Sequence, residues 1–433
     1  MHKIFLVANK STMKMEIISE EIIKPSTPTP YHLKTFKLSL LDQLTLHSYT
    51  PILLLYHESE ILPSTDVLKK SLSETLTQYY PFAGRLQKDG ITVDCGDHGV
   101  VFVEAKIFGC ALSNFLRNPK YDTQMLLFPE GFLWKGSCTD QSFLACQVTS
   151  FEGGGMTVAV SISHKVADGS TIAAFLTNWA AMARGEVIIR SQPMILARSI
   201  PCSDIGYPVP EIVMEKCSNC VTKRYVFDAK RIAGLKESVG GLVENPTKVQ
   251  VVTAYLYKCA IAASFEKSGC FRKSTWIQLV NMRPRITPPL PENSVGNFSW
   301  YFTISNGDES ERSLSSLVLD LQQGIKDVCN GGDNHDHNNL DLRDWLMDVR
   351  DYAENVKELF DDVDVYRCTS LCKRPFYEMD FGWGCPKWVT MADVQVKNTF
   401  VLFDTADGDG IEAMVSLEKD DMTLFQCNQY FQP

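Results

Sequence analysis

The sequence predicts an α/β protein of two domains, and three observations lead to this prediction. The chain has 433 residues, which exceeds the size at which one hydrophobic core usually stops growing. Strand-like alternation and helical spacing of apolar residues follow each other in both halves of the chain. Between the halves, residues 190–222 contain four prolines, three cysteines and little periodicity, as expected of a crossover linker. We therefore predict an N-terminal domain over residues 1–189 and a C-terminal domain over 223–433.

In the N-terminal half, prolines mark the first residues and alternating apolar patterns follow them. Residues 24–30 read Lys-Pro-Ser-Thr-Pro-Thr-Pro, an extended lead-in that its prolines exclude from a helix. Helical spacing predicts one helix over 66–79 and a second over 170–184, which Ser170 or Thr171 would cap. Apolar runs predict strands at 51–56, 91–94, 99–104, 143–150 and 156–163. The last two strands are separated by three glycines and form a predicted hairpin.

The C-terminal half repeats the alternation of strand and helix patterns. Strands are predicted at 225–227 and 275–280, and a helix at 228–239. Thr247 and Gln250 have the spacing of a capping box and open a further predicted helix over 248–265. Each half thus has the strands and helices of an α/β domain.

Two groupings of cysteine or histidine are candidate zinc sites, and neither has the recurring spacing of three or four ligands that zinc needs. His335 and His337 lie within residues 330–342, which are polar and rich in glycine and asparagine, so we interpret them as a solvated loop. Cys217-x2-Cys220 has no second pair and no nearby histidine, and we interpret both side chains as loop thiols. The sequence therefore predicts no metal.

Charge and hydropathy exclude several classes of partner. The net charge of -10 and the pI near 5.4 argue against a nucleic-acid-binding surface. No apolar run reaches the ~18–20 residues that span a bilayer, so no membrane partner is predicted. The short apolar run at residues 4–8 falls below the ~7–15 residues of a signal peptide, and we interpret residues 1–14 as dispensable. With 14 cysteines scattered along the chain, we expect reduced thiols and a cytoplasmic location.

His164 is the strongest candidate for a catalytic residue. It ends the predicted strand 156–163, and Asp168 and Gly169 follow it before the next helix. The unperturbed pKa of histidine, about 6.5, lets its ring take and return a proton near neutral pH. Strand alternation places His164 on the apolar side of the strand, where a polar ring needs a partner or a cavity. Alone, however, His-x3-Asp also describes a core histidine that is satisfied by backbone groups.

A second motif far downstream favours the catalytic interpretation of His164 over that of a core histidine. Residues 380–384 read Asp380-Phe381-Gly382-Trp383-Gly384, and together with His164-x3-Asp168-Gly169 they resemble the signature of the plant BAHD acyl-CoA-dependent acyltransferases. The resemblance covers about residues 15–430 and extends to smaller features: residues 25–30, Leu41-Asp42-Gln43, residues 80–85, Asn281-Met282-Arg283 and residues 293–297. Within the family, the chain looks similar to the branch of alkaloid acetyltransferases such as vinorine synthase.

The resemblance implies a fold and a mechanism. The family fold has two similar-sized α/β domains with mixed sheets flanked by helices, as in chloramphenicol acetyltransferase, with a channel between them. His164 would act there as the general base, without a metal or a permanently bound cofactor, and acyl-CoA would be a co-substrate. Asp168 would turn away from His164 and pair with Arg283 to hold the loop. The run Asp380–Gly384 would be structural, with Trp383 filling a core.

One departure from the family pattern concerns the predicted site. The family usually has Thr-Ser-Trp before the second motif, whereas this chain has Thr369-Ser370-Leu371. By resemblance, Thr369 is a candidate donor to the oxyanion. Leu371 lacks the hydrogen-bond donor of an indole and is smaller, so we expect it to alter a wall of the acceptor pocket.

The predicted function is transfer of an acyl group, acetyl in the first instance, from acyl-CoA to a hydroxyl of a plant specialised metabolite. An alkaloid is the leading acceptor, and the alternative is a sucrose hydroxyl, which would give an acylsugar (a sucrose ester), or a volatile or terpenoid alcohol. A hydrolase using His164 and a non-catalytic binding protein are rival classes, although no G-x-S-x-G motif is present. The family resemblance implies a monomer.

Overall fold

The computed structural model describes most of the chain, and the chain divides into two compact units. The described residues are 5–6, 14–45, 47–57, 64–117, 119, 121–133, 141–186, 193–195, 217–307, 312–330, 342, 345–346, 349, 363–394 and 396–427. Unit 1 comprises Met1–Val213, Pro291–Asn297 and Arg374–Asp393, and unit 2 comprises Met214–Leu290, Phe298–Lys373 and Val394–Pro433. Each unit contains a mixed sheet and helices, so the predicted α/β class is confirmed.

Unit 1 is built on a seven-stranded sheet of order β1-β2-β7-β8-β9-β4-β16, in which only β7 and β8 are parallel neighbours. Its strands are β1 (Phe5–Leu6), β2 (Lys14–Ile23), β3 (Thr35–Lys37), β4 (Tyr49–Tyr56), β5 (Arg85–Leu86), β6 (Thr92–Asp94), β7 (Val100–Phe108), β8 (Leu144–Phe151), β9 (Met156–Ser163), β10 (Met194–Ile195), β13 (Ser294–Val295) and β16 (Trp388–Met391). Its helices are α1 (Leu40–Leu44), α2 (Thr65–Gln78), α3 (Leu112–Arg117), α4 (Tyr121–Gln124) and α5 (Gly169–Ala183). Strands β3, β6 and β5 form a small second sheet, and β10 pairs with β13.

The predicted hairpin and its following helix carry the candidate site. Strand β9 pairs antiparallel with β8 on one side and with β4 on the other, and all eight of its residues are buried. A strand buried on both faces is rigid, so the residue that follows it has a fixed position. Helix α5 then packs on α2, where the Trp179 indole donates to the carbonyl of Leu68 at 3.2 Å.

Helix α5 begins one residue earlier than the sequence predicts, and its cap is different. The expected caps were Ser170 or Thr171, but the Asp168 carboxylate accepts from the backbone N–H of Thr171 at 2.9 Å and caps the helix. A carboxylate suits this place because the first N–H groups of a helix lack partners and carry partial positive charge. Such a cap contributes about 1 kcal/mol to stability.

Unit 2 is built on a six-stranded sheet of order β11-β18-β17-β15-β12-β14, in which β15 runs parallel to both neighbours. Its strands are β11 (Cys220–Phe227), β12 (Ser274–Asn281), β14 (Ser299–Asn306), β15 (Asp364–Ser370), β17 (Thr399–Asp404) and β18 (Ile411–Glu418). Its helices are α6 (Ala229–Val239), α7 (Lys248–Ser268), α8 (Leu314–Asn330) and α9 (Lys419–Cys427).

The capping box predicted for α7 is confirmed. The Thr247 hydroxyl accepts from the backbone N–H of Gln250, and the Gln250 side chain accepts from that of Thr247. The helix extends three residues beyond the predicted end and stops where Gly269 adopts a left-handed φ of 66°. Glycine fits there because it has no Cβ to clash with the carbonyl oxygen.

The division into units differs from the continuous domains predicted from the sequence. Residues 380–384 were placed in the C-terminal domain, whereas they belong to unit 1. The physical reason is strand pairing, because β16 follows this run and pairs antiparallel with β4, Trp388 opposite Leu55. Strand β11 also begins at Cys220, inside the predicted crossover 190–222.

Some predictions fall wholly or largely on undescribed residues. Most of the crossover and of residues 1–14 lie outside the described ranges, as do His335 and His337. Within the described ranges, none of the helices has the length and apolar character that crossing a bilayer requires.

Candidate functional site

His164 directly follows β9, and its backbone is held on both sides. Its N–H donates to the carbonyl of Ser48 at 2.8 Å, and its carbonyl accepts from the Thr45 hydroxyl at 3.2 Å. The side chain is partly buried. The position of the ring is therefore set by the end of a buried strand and by the residues that precede β4.

The imidazole ring has a definite partner, Asn297. The distance from His164 Nδ1 to Asn297 Oδ1 is 3.0 Å. The amide nitrogen of Asn297 donates to Asp42 Oδ1 and to the carbonyl of His164, each at 2.8 Å. Because both of those partners can only accept, the nitrogen of the amide must face them and its oxygen must face the ring. Nδ1 then carries the hydrogen, and Nε2 keeps its lone pair.

Asp42 anchors this arrangement from a buried position, with a side chain only 1% exposed. It lies in α1, where its Oδ2 accepts from the backbone N–H and the hydroxyl of Ser39 at 3.0 and 2.7 Å. Its Oδ1 accepts from the backbone N–H of Asn297 at 2.9 Å as well as from the side-chain amide. Four donors therefore converge on one carboxylate. Burial raises the pKa of Asp42, and the hydrogen bonds from Ser39 and Asn297 oppose that rise.

The electrostatic surroundings keep His164 neutral. Burial lowers the pKa of the imidazole below its ordinary value, and the negative charge of Asp168 opposes this effect. A ring that is neutral at pH 7 and presents an Nε2 lone pair is able to accept a proton.

Asp168 and Arg283 are both deeply buried, each within its own unit. Asp168 is 1% exposed and caps α5. Arg283 is 0% exposed, and its guanidinium carbon lies 4.8 Å from the centroid of the Phe298 ring. Its Nη1 donates to Asn281 Oδ1 at 3.2 Å. The pairing of Asp168 with Arg283 stays a prediction.

The run 380–384 is organised by its own aspartate. Asp380 Oδ1 accepts from the backbone N–H groups of Gly382 and Gly384 at 2.7 and 2.8 Å. Burial opposes ionisation, but these hydrogen bonds hold the pKa of Asp380 below its usual range. Both glycines have positive φ, 111° and 101°, which explains why glycine is needed at the two positions.

Aromatic packing fixes this loop to β4 and α5. Phe381 is 1% exposed and meets Trp179 edge-on, with ring centroids 5.0 Å apart. Trp383 stacks on Phe381, with ring centroids 5.5 Å apart, but Trp383 is only partly buried. Phe381, and not Trp383 as predicted, is the residue of this motif that lies in the core. The Tyr56 hydroxyl donates to the carbonyl of Met379 at 2.7 Å. The structural role of the motif stays a prediction.

In unit 2, Thr369 lies near the end of β15, and Leu371 directly follows that strand. Thr369 is partly buried, and its hydroxyl bonds to none of the residues described. Leu371 is 7% exposed, and its N–H donates to the carbonyl of Leu402 at 2.8 Å. Gly169 is the first residue of α5 in unit 1. The oxyanion and acceptor-wall roles of Thr369 and Leu371 remain predictions.

The sequence analysis missed the residues that hold the His164 ring. Asn297 and Asp42 appeared only within the family features, without a role, and Ser39 was not singled out. One local signal was available, because Ser39-x-x-Asp42 has capping-box spacing before apolar residues. No local pattern brings Asn297 to His164, 133 positions away. Across the described residues there is no group of three or more metal-binding side chains.

Comparison with known proteins gives the family. The model of the Transferase family matches residues 13–432. Akuammiline synthase 1 from Alstonia scholaris is 41% identical over 424 residues, which cover 96% of each chain. The 17,18-epoxy-17-hydroxycur-19-ene N-malonyltransferase from Strychnos nux-vomica is 38% identical over 435 residues, covering 98% of this chain and 92% of the relative.

A solved structure agrees with this match along nearly the whole chain. The crystal structure of vinorine synthase superposes with a TM-score of 0.82 at 33% identity, covering 95% of this chain and 96% of that one. The predicted two-domain fold class is thereby confirmed a second time. The chain belongs to the Transferase family, the BAHD acyl-CoA-dependent acyltransferases that its two motifs resemble.

Proposed function

We propose that this protein transfers an acyl group from acyl-CoA to a hydroxyl of a plant specialised metabolite, an alkaloid in the first instance, with His164 as general base. The observation that carries the proposal is the contact of 3.0 Å between His164 Nδ1 and Asn297 Oδ1. It leaves the lone pair on Nε2 of a ring that burial keeps neutral. A ligand carrier has no need of a base prepared in this way.

The proposed steps balance without a further reactant. Nε2 of His164 accepts the hydroxyl proton as the acceptor oxygen attacks the thioester carbonyl carbon. The tetrahedral intermediate collapses as the carbon–sulfur bond breaks. The imidazolium then returns its proton to the departing CoA thiolate, which leaves an ester and free CoA. No covalent enzyme intermediate is needed because the thioester is already activated.

The identities of the acyl donor and of the acceptor are also part of the proposal. Acetyl-CoA is the proposed donor, and the relative named for N-malonyl transfer adds malonyl-CoA to the donors worth testing. A sucrose hydroxyl and volatile or terpenoid alcohols remain the alternative acceptors. We also propose that Leu371 shapes the acceptor wall, that Asp168 pairs with Arg283, and that the protein acts as a cytoplasmic monomer.

Release of free CoA tests the proposal directly. Acetyl-CoA and malonyl-CoA would each be incubated with hydroxylated alkaloids, terpenoid alcohols and sucrose, or with no acceptor. Acceptor-dependent release, with a product heavier by one acyl group, is the expected result. Release that does not depend on an acceptor would identify a hydrolase, and binding without any release would identify a carrier.

Replacing Thr369 by alanine should lower kcat more than it raises KM. If its hydroxyl donates to the oxyanion, the interaction exists only in the transition state, and losing one such donor costs about 10²–10³ in kcat. The matched control is Thr369→Ser, which keeps the hydroxyl and should retain most of the turnover. A Thr369→Ala variant with unchanged kcat would remove Thr369 from the mechanism.

The pH dependence of kcat/KM should show an acid limb with its midpoint below pH 6.5. The base must be neutral, and burial lowers the pKa of His164 from its ordinary value of 6.5. Activity should therefore persist as the pH falls through 6.5 and decline only at lower pH. Initial rates at low substrate concentration between pH 4.5 and 8 measure this profile. A midpoint above 6.5 would contradict the proposed environment of His164.

A further inference from the structure

Among the described residues, none forms a side-chain hydrogen bond or ion pair with Arg367, an arginine on the central part of the unit 2 sheet. Arg367 lies in β15, opposite Ile277 of β12 and Thr399 of β17. Its neighbours in the strand, Tyr366 and Cys368, are buried. The Tyr366 ring lies 5.8 Å from that of Tyr257 in α7, so this side of the sheet faces the helix. Because side chains alternate along a strand, Arg367 belongs to the opposite face.

The guanidinium of Arg367 is partly buried, and no charged group of the described residues pairs with it. Burial lowers its pKa, and none of the described residues supplies a charge or a hydrogen bond that opposes this shift. The aspartate of the same strand is already engaged, because Asp364 accepts from Arg272 at 2.8 and 3.1 Å. Removing a charge from water without a partner costs free energy. Such a residue is a candidate for recognition of an anion that arrives with a ligand.

The position of Arg367 relates it to the proposed chemistry. Thr369 is two residues further along β15 and therefore lies on the same face, about 6.6 Å away along the strand. An anion bound by Arg367 would thus lie on the face of β15 that carries Thr369, the residue proposed to serve the reacting carbonyl. The phosphates of CoA lie at the far end of the pantetheine arm. A carboxylate close to the reacting carbonyl suits the site better, since guanidinium binds carboxylates with two parallel hydrogen bonds.

We propose that Arg367 binds a carboxylate carried by one of the two substrates. The carboxylate is either the free end of a dicarboxylic acyl group on CoA, such as malonyl, or an acid group on the acceptor. This proposal rests on the acyl-transfer function proposed above and makes Arg367 a specificity-determining residue.

The donor arm of the test is calorimetric binding of malonyl-CoA and acetyl-CoA to the wild type and to Arg367→Met. If the acyl group supplies the carboxylate, the variant binds malonyl-CoA about 10- to 100-fold more weakly and binds acetyl-CoA as before. Arg367→Lys keeps the positive charge but lacks the two parallel N–H donors of the guanidinium, so it should recover part of the lost affinity for malonyl-CoA. Arg272→Met, which removes an arginine paired with Asp364, is the matched control and should change neither affinity.

The acceptor arm uses acetyl-CoA with acceptors offered as the acid and as its methyl ester. If the acceptor supplies the carboxylate, Arg367→Met raises KM for the acid by about 10- to 100-fold and leaves the ester unchanged. A selective loss in either arm supports the proposal and identifies the source. An equal loss for both donors would instead assign Arg367 to the CoA moiety, which overturns it.

Two further outcomes would also overturn the proposal. In one, Arg367→Met weakens neither the binding of malonyl-CoA nor the use of the acid acceptor selectively. In the other, Arg367→Met has a lowered melting temperature and no selective loss for either substrate, which would reveal a partner of Arg367 within the protein. If the wild type transfers no acyl group to any acceptor, the proposed function fails, while the calorimetric arm still tests whether Arg367 recognises a carboxylate.

Discussion

Replacing His164 by alanine should lower kcat by about 10²–10⁴-fold, the range expected when a general base is lost. The alcohol would then attack with its proton still in place, and no other described side chain is hydrogen-bonded to the ring except Asn297. The fold should survive, because the backbone of residue 164 is held by its own hydrogen bonds to Ser48 and Thr45. Steady-state kinetics and thermal unfolding of the same preparation measure the two effects.

His98→Ala is the matched control for this variant. His98 is exposed, and its Nε2 lies 2.9 Å from an Asp94 oxygen, so it is a second histidine with a hydrogen-bonding partner. Its loss should change kcat by less than about two-fold, since an exposed pair contributes little. If His164→Ala turned over substrate like the wild type, the general-base mechanism would be untenable.

Replacing Asp42 by alanine should reduce both stability and turnover. The change leaves buried N–H groups of Ser39 and Asn297 without an acceptor, and each such group costs about 1–3 kcal/mol. We expect the free energy of unfolding to fall by about 3–5 kcal/mol, as when one partner of a buried charged network is removed. Asn297 would also lose the contact that orients it, so kcat should fall while KM changes little.

Asp228→Ala separates the positioning role of Asp42 from simple helix capping. Asp228 also caps a helix, accepting from the backbone N–H of Arg231 at 2.7 Å, but it is exposed and lies in unit 2. Its loss should cost about 1 kcal/mol and leave kcat unchanged. Chemical denaturation gives the stabilities, and single-turnover rates give the chemical step. A folded Asp42→Ala variant with wild-type kcat would show that Asn297 needs no anchor.

Local patterns in the sequence were enough to locate the elements around the site. The alternation over residues 156–163 predicted β9 to the residue, and the capping box at Thr247 predicted where α7 begins. These features succeed because strand alternation and helix capping involve neighbours in the chain. The identity of His164 as the residue that follows β9 rests on the same local information.

Local patterns do not predict contacts between residues that are far apart in the chain. Asn297 approaches the His164 ring across 133 positions, and Asp42 is 255 positions from Asn297. The cap formed by Asp168 differs from the predicted caps Ser170 and Thr171 because α5 begins at Gly169, one residue earlier than predicted. Likewise, nothing in residues 388–391 indicates pairing with β4, since a short apolar strand matches any open sheet edge.

The pairing of β16 with β4 has a consequence for synthesis of the protein. During translation β4 emerges early, but its outer neighbour is encoded more than 300 residues later, because Leu55 pairs with Trp388. At about 5–20 residues per second, the apolar edge of β4 waits roughly 20–60 s for its partner. An open apolar edge is a template for aggregation. The nascent N-terminal half therefore exposes this edge until β16 is synthesised, and a fragment that ends near residue 213 lacks the strand that completes its sheet.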